Sequence, residues 1–239
     1  MKPWVTYTVG SIAIAAMLAG GILLLRYKRS RTASYACTSL EISFCEPYRF
    51  ISEEEVDELL VEKMLPYVGQ RMDGIDINGY EQALRLNPFV EKAEVWMTSD
   101  GTVHASVDQK EAVARVRNSA GSFYIDSDSE PFPLSAGYDA PVRLYEGCVD
   151  LTAGDLGEIG RFNRALESQQ VWKSLIDSVH VESGAHFSFR VDGVTFNFGT
   201  CRNASEKFSK LDRYRESIAP LGKGEKTVDL QYKGQIICK

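Results

Sequence analysis

Three histidines, five cysteines and one acidic triplet are the groups in this 239-residue chain with the chemistry to build a site. His104, His180 and His186 fall in or beside alternating, strand-like stretches. Histidines six residues apart do not share one helical face, so surface or boundary histidines are expected rather than metal ligands. Asp126, Asp128 and Glu130 place carboxylates at alternate positions, as at the opening of a calcium loop. Such a loop needs glycine sixth and glutamate twelfth, where this chain has Pro131 and Gly137, so a solvated turn between strands is expected. Cys37, Cys45, Cys148, Cys201 and Cys238 form no Cys-x-x-Cys pair. They read as mostly buried free thiols, with at most two disulfides if the domain is extracytoplasmic. The sequence holds no Gly-x-Ser-x-Gly, Ser-x-x-Lys, phosphate-loop or His-Glu-x-x-His pattern. No catalytic residue, metal site or cofactor is expected.

Asn203-Ala204-Ser205 fits a glycosylation acceptor and also a helix cap before Glu206; the cap is the reading taken here. The interaction signal lies at the C-terminus. Thr227 to Tyr232 alternates without proline and continues through Gly234 to Ile237. A long terminal strand can sit at a sheet edge and accept a partner's strand, or it can be an ordinary paired strand closing the sheet.

The elements that must position these groups begin with an anchor. Trp4 to Leu25 is uncharged over about 20 residues, enough to cross the hydrocarbon core of a membrane as a helix. A cleaved secretory signal fits less well, because Ala19-Gly20-Gly21 sits inside the span and four aliphatics follow it. Lys2 precedes the span, whereas Arg26, Lys28, Arg29 and Arg31 follow it, a bias that by itself points the large domain to the cytoplasm. Beyond residue 31 the chain carries 22 basic against 33 acidic side chains. That balance argues against a nucleic-acid binder and against a surface lying flat on anionic lipid.

A first module is expected over residues 38–109. Leu40 to Phe44 alternates as a strand. Ser52-Glu53-Glu54-Glu55 is a capping box, with Ile51 and Val56 spaced as a hydrophobic staple before the helical face Val56, Leu59, Leu60, Met64. A second helix carries Tyr80, Ala83 and Leu84 and stops at Asn87-Pro88. Two strands, Ala93 to Met97 and Val103 to Val107, then flank Asp100-Gly101. The second module, 110–239, offers strands at Val113–Val116, Ser122–Ile125, Val142–Tyr145, Val179–Glu182, Phe187–Val191, Val194–Phe198 and Thr227–Cys238. The clearest hairpin turns at Asp192-Gly193. One helix is expected through Phe162, Leu166, Trp172 and Ile176, another through Phe208, Leu211 and Tyr214.

Three stretches then carry a family resemblance: Asn87 to Val95; Gly121 to Asp126 with Pro133-Leu134-Ser135; and Tyr232 to Lys239. On these motifs, in order on the expected elements, the chain resembles the FtsQ/DivIB cell-division proteins, in the form found in Bacteroidetes-type bacteria. The resemblance implies an α+β architecture with a short cytoplasmic tail (1–3), one N-terminal transmembrane helix (4–25) and a linker (26–37). It also implies a POTRA domain (38–109, β-α-α-β-β) and a mixed, mainly antiparallel β domain with two helices (110–239). It further implies a non-enzymatic divisome scaffold in the inner membrane, its bulk periplasmic at the division site, that binds FtsB- and FtsL-type proteins. The family's partner-binding C-terminal strand falls on 227–238. The candidate contacts are Thr227, Asp229, Leu230, Gln231, Tyr232, Gln235 and Ile237, with Tyr232 carried over from the family's Asp-Leu-[Arg/Gln]-Tyr stretch. The POTRA module is implied to contact other division proteins. The chain departs from the family at Gln109-Lys110-Glu111-Ala112, which lacks a junction proline, near Ser129, where a turn glycine is replaced, and at Ala140-Pro141-Val142. The rival readings are a POTRA-bearing outer-membrane transport component and an anchored cell-wall enzyme with an unrecognised site.

Overall fold

The computed structural model describes residues 15–27, 36–45, 47–63, 67–147, 151–221 and 226–239. Residues 15–27 are helical, and Met17, Leu18, Ile22, Leu23, Leu24 and Leu25 are each more than half exposed. Among the described residues no helix is long and apolar enough to cross a membrane. The expected span from Trp4 lies partly outside them, as do the tail 1–3, most of the linker and Cys148. Two compact units divide the chain. One runs to Gln109; the other takes Tyr48–Phe50 together with Lys110–Lys239.

The first unit follows the expected order: β1 (Ser39–Phe44), α1 (Glu53–Glu62), α2 (Ile77–Arg85), β2 (Val90–Met97) and β3 (Thr102–Gln109). Its sheet runs β1-β3-β2, with β1 parallel and β2 antiparallel to β3. The Ser52 hydroxyl accepts from Glu55 N while the Glu55 carboxylate accepts from Ser52 N, so the capping box forms, and Ile51 and Val56 are both buried beside it. Tyr80, Ala83 and Leu84 are the buried face of α2. Both helices contribute to one core with Val95, Val103, Ala105 and Val107.

The second unit contains β4 (Ala114–Asn118), β5 (Gly121–Ile125), β6 (Pro131–Phe132), β7 (Leu144–Glu146), α3 (Ala153–Glu167), α4 (Trp172–Leu175), β8 (Ser178–Glu182), β9 (His186–Val191), β10 (Val194–Gly199), α5 (Ala204–Arg213), β11 (Thr227–Asp229) and β12 (Ile237–Cys238). All nine strands join one mixed sheet in the order β12-β11-β10-β9-β8-β7-β4-β5-β6. The architecture is therefore α+β, with a large mixed sheet in one unit and a small one in the other. Alternation sends Val179, Val181, Phe187, Phe189, Phe196 and Phe198 into one core with α3, α4 and α5. Phe162 of α3 is the centre of that core. It stacks on Phe187 at 4.4 Å and meets Phe198 edge-on at 5.0 Å, and Phe208 of α5 packs on Phe198 at 5.0 Å. At the β5–β6 end Phe50 packs edge-on against Tyr124, Phe132 and Tyr138.

The structure departs from two local expectations. The helix expected through Ile176 is two helices, α3 and α4. The buried Arg143 guanidinium donates to the carbonyls of Lys173 and Ile176 and to the Asn163 and Glu167 side chains, so the chain turns after Glu167 to bring those carbonyls within reach. Asn203 precedes α5 in the left-handed region (φ 56°) and its side chain does not cap the helix. The hairpin at Asp192-Gly193 forms with both residues at positive φ, as a tight primed turn requires.

Phe162→Ala removes a ring that four aromatic neighbours enclose. It should cost the second unit about 3–5 kcal/mol, read as a lower urea midpoint for loss of its near-ultraviolet circular dichroism.

Candidate functional site

The C-terminal strand is not continuous. β11 extends the sheet in parallel on β10, with Val228 opposite Phe196, and Leu230 N still reaches Asn197 O at 3.0 Å. The Asp229 carboxylate then accepts from Gln231 N at 2.9 Å, a turn of the aspartate's own making that takes the chain out of the ladder. Gly234, at φ 68°, reverses it. Ile237–Cys238 return antiparallel to β11, and Thr227 and Lys239 exchange both backbone bonds, at 2.9 and 3.0 Å. The expected strand 227–238 is thus a hairpin, and β12 ends the sheet where a single long strand had been expected.

This geometry sorts the candidate residues. Thr227 and Asp229 alternate with the buried Val228 and so point away from the helices, half-buried. Leu230 is fully buried in the core, so its side chain is not at the surface. Gln231, Tyr232 and Gln235 come together on the exposed connecting turn, with Tyr232 54% exposed, and Ile237 lies half-buried on the end strand. Gln231 lies across Gly199, where a Cβ would stand 2.7 Å from its Cγ, so the glycine admits this approach.

The turn is held by side chains that sequence reasoning missed. Lys210, 4% exposed, projects from α5 and donates to Leu230 O at 3.1 Å and Tyr232 O at 2.6 Å. Its ammonium also pairs with the Glu206 carboxylate at 3.2 Å. The same Glu206 oxygen accepts from Gly234 N at 3.1 Å. That amide first, and the Lys210 ammonium second, hold the Glu206 carboxyl below the usual carboxylate range. One turn earlier, Lys207 donates to Thr200 O at 2.7 Å and lies over the Phe198 ring, and burial pushes its ammonium pKa down. In sequence, two lysines three apart on a polar helix carried no sign of this.

The other sheet ends differ. β6 is two residues long and begins with Pro131, which blunts it. β2 is eight residues long, but α2 backs its outer edge: Arg85 donates to Ala93 O at 2.9 Å, and Glu81 accepts from Val95 N at 3.1 Å. The two side chains also pair with each other at 3.2 Å, so together they occupy the places a neighbouring strand would take. β1, the remaining end, shows the exposed Glu41 and Ser43.

The groups that opened the sequence reading do not converge. His104 stacks on Trp96 at 5.3 Å, between Glu41 and Thr98; His180 and His186 are exposed on the larger unit. Asp126 is buried, paired with Lys110 at 2.6 Å, and accepts from the amides of Asp128 and Glu130, so the acidic triplet is a turn around one structural carboxylate. Ser129 takes the left-handed backbone (φ 69°) that a glycine would adopt freely. Among the described residues no group of histidine, cysteine and acidic side chains could hold a metal ion. Of the four described cysteines Cys37 is buried, Cys201 and Cys238 are half-buried and Cys45 is exposed, where mostly buried thiols had been expected. A concavity of about 900 Å³ beside the start of α3 includes Asp155, Glu158, Arg161, Cys201 and Arg202 in its lining. Burial pushes the Cys201 thiol up, away from the thiolate a nucleophile needs.

Comparison with known proteins gives two matches. A family model described as FtsQ/DivIB, C-terminal related, matches residues 111–239, and a POTRA-like domain model matches residues 35–108. No curated protein matches the chain.

Two outcomes follow from the edges and the turn. Removing the β2 guard with Glu81→Ala and Arg85→Ala should raise self-association, seen as a faster sedimenting species at micromolar concentration. Glu206 has a depressed folded pKa, so its contribution is present above the unfolded value, about 4.3, and is lost as pH falls through the lower folded value. The Gly234 amide shift in an NMR titration should therefore move with a midpoint below that value.

Proposed function

Because this chain belongs to the FtsQ/DivIB family, a family of non-enzymatic division scaffolds, we propose that it is a membrane-anchored divisome scaffold that docks its partners on the C-terminal edge. In this reading the apolar span from Trp4 to Leu25 is a signal-anchor in the inner membrane with the N-terminus inside. The two units then lie in the periplasm at the division site. The partners are FtsB- and FtsL-type proteins, and the scaffold helps assemble and regulate septal wall synthesis. The POTRA-like unit contacts other division proteins.

One observation carries the reading. The nine-stranded sheet ends on β12, a short strand beside the exposed Tyr232, while β6 is blunted by proline and β2 is backed by Glu81 and Arg85. An added strand would take its affinity from backbone bonds to the 236–239 segment and its selectivity from the side chains beside it. The exposed leucines of the described N-terminal helix support the anchor, since an apolar surface of that kind needs a covering phase.

A chain truncated before Thr227 should fail to retain the FtsB- and FtsL-type proteins in a pull-down from the source cell, and undiminished retention would sink the edge mechanism. A reporter fused to the C-terminus should read periplasmic. A cytoplasmic signal would overturn the placement of both units.

A further inference from the structure

The last ten residues join the sheet only at their two ends, through Leu230 N on Asn197 O and through the short β11–β12 ladder that closes with the Thr227–Lys239 bonds. β12 has two residues, and between Leu230 and Ile236 the chain follows no strand. The Asp229 carboxylate on Gln231 N and a bond from Gln235 N to Tyr232 O shape this stretch locally, and the contacts that tie it to the packed domain come from α5. An ammonium group has three protons to donate, and Lys210 directs its group at Leu230 O, Tyr232 O and the Glu206 carboxylate, all within 3.2 Å. The two carbonyls belong to the residues where β11 gives way to the turn. The Glu206 carboxylate reaches further along the same turn, to Gly234 N at 3.1 Å. The five consecutive residues 230–234 are thus tied at three points by two side chains one helical turn apart.

We propose that Lys210 and Glu206 are positioning residues for partner docking: from α5 they lock the 230–234 turn, which lays β12 on β11 and holds Tyr232 out beside the end strand. The inference rests on the reading of β12 as the docking edge and adds what keeps that edge in register. A lysine buried only to fill space would leave the tail's position to β12 alone. Here the ammonium satisfies a buried carbonyl that no strand pairs, and a buried acceptor left without a donor is costly enough to drive the turn open to water. With the turn open, the two-residue β12 has little to hold its register, and the edge a partner would read is no longer one surface.

The test uses the full chain with the variants Lys210→Met, Glu206→Ala and Glu206→Gln. Binding of the periplasmic segment of the source cell's FtsB-type protein is measured by titration calorimetry, and tail order by amide exchange. Lys210→Met and Glu206→Ala should each weaken binding by about tenfold or more and speed exchange at Gly234 and Lys239. The amides of Phe189 and Phe196 should keep their wild-type protection. Glu206→Gln keeps an acceptor for Gly234 and should lose less. If Lys210→Met does not fold, Glu206→Ala, on the half-exposed side of α5, carries the test. Wild-type affinity in a variant with a loosened tail, or wild-type tail exchange in both Lys210→Met and Glu206→Ala, overturns the proposal. Absence of binding by the unmutated chain instead removes the edge reading, and the docking role with it, while the exchange data still decide whether the clamp holds the tail.

Discussion

An open sheet must end, and each end strand leaves a row of amide and carbonyl groups that water, a side chain or another protein must satisfy. The nine-stranded sheet runs from β12 to β6 without closing, and the three-stranded sheet runs from β1 to β2. Three of these four ends are treated differently in chemistry. Pro131 removes a donor from β6. Glu81 and Arg85 supply to β2 the acceptor and donor that a neighbouring strand would bring. At the other end of the large sheet the chain folds its own terminus back as β12, so the last ladder is made from residues that a turn holds in place.

That arrangement makes α5 serve two purposes. Its inner side sends Phe208 and Leu211 into the aromatic core around Phe162. Its border carries Lys207 and Lys210, both nearly inaccessible to solvent. Burying an ammonium is unfavourable unless its protons are used. Both lysines use theirs on backbone carbonyls where strands stop: Thr200 just after β10, and Leu230 and Tyr232 just after β11. They act as caps for strand ends in the way that serine or aspartate caps a helix, and they couple the terminal hairpin to the packed core.

Much of this was legible wherever the signal is local. The capping box at Ser52, the buried face Tyr80-Ala83-Leu84 and the Asp192-Gly193 hairpin depend on residues within a few positions of one another, and each formed as read. The C-terminal strand was misread because period-two alternation through Tyr232 continues past the point where pairing stops. Nothing in Leu230-Gln231 says that Asp229 will turn its carboxylate on the next amide but one. The break between α3 and α4 lies in residues with no strong breaker and follows from Arg143, some 30 positions away. Glu81 and Arg85 look in sequence like an ordinary i,i+4 surface pair, worth a few tenths of a kcal/mol. Only the packing of α2 against β2 turns them into an edge guard. The clamp at Lys210 was hidden for the same reason: the two carbonyls it holds are 20 and 22 residues away.

Energetics argues that the tail's order matters more than its length. A strand added to β12 can gain two or three backbone hydrogen bonds, each worth about 0.5–1.5 kcal/mol net. Association costs several kcal/mol in lost translational and rotational freedom, by common estimates about 4 or more. Backbone pairing on so short a strand therefore roughly breaks even, and the surplus has to come from side chains that are already in position. Tyr232 suits that part, being aromatic, exposed and attached to a turn whose carbonyl is held by a buried ammonium. A partner that meets Tyr232 and the 236–239 backbone as one rigid surface is spared the cost of ordering ten residues, which at about 1–2 kcal/mol per backbone residue would outweigh every bond the strand could form. On that balance, in the proposed docking role, the charge pair on α5 supplies the order that a partner would otherwise have to impose.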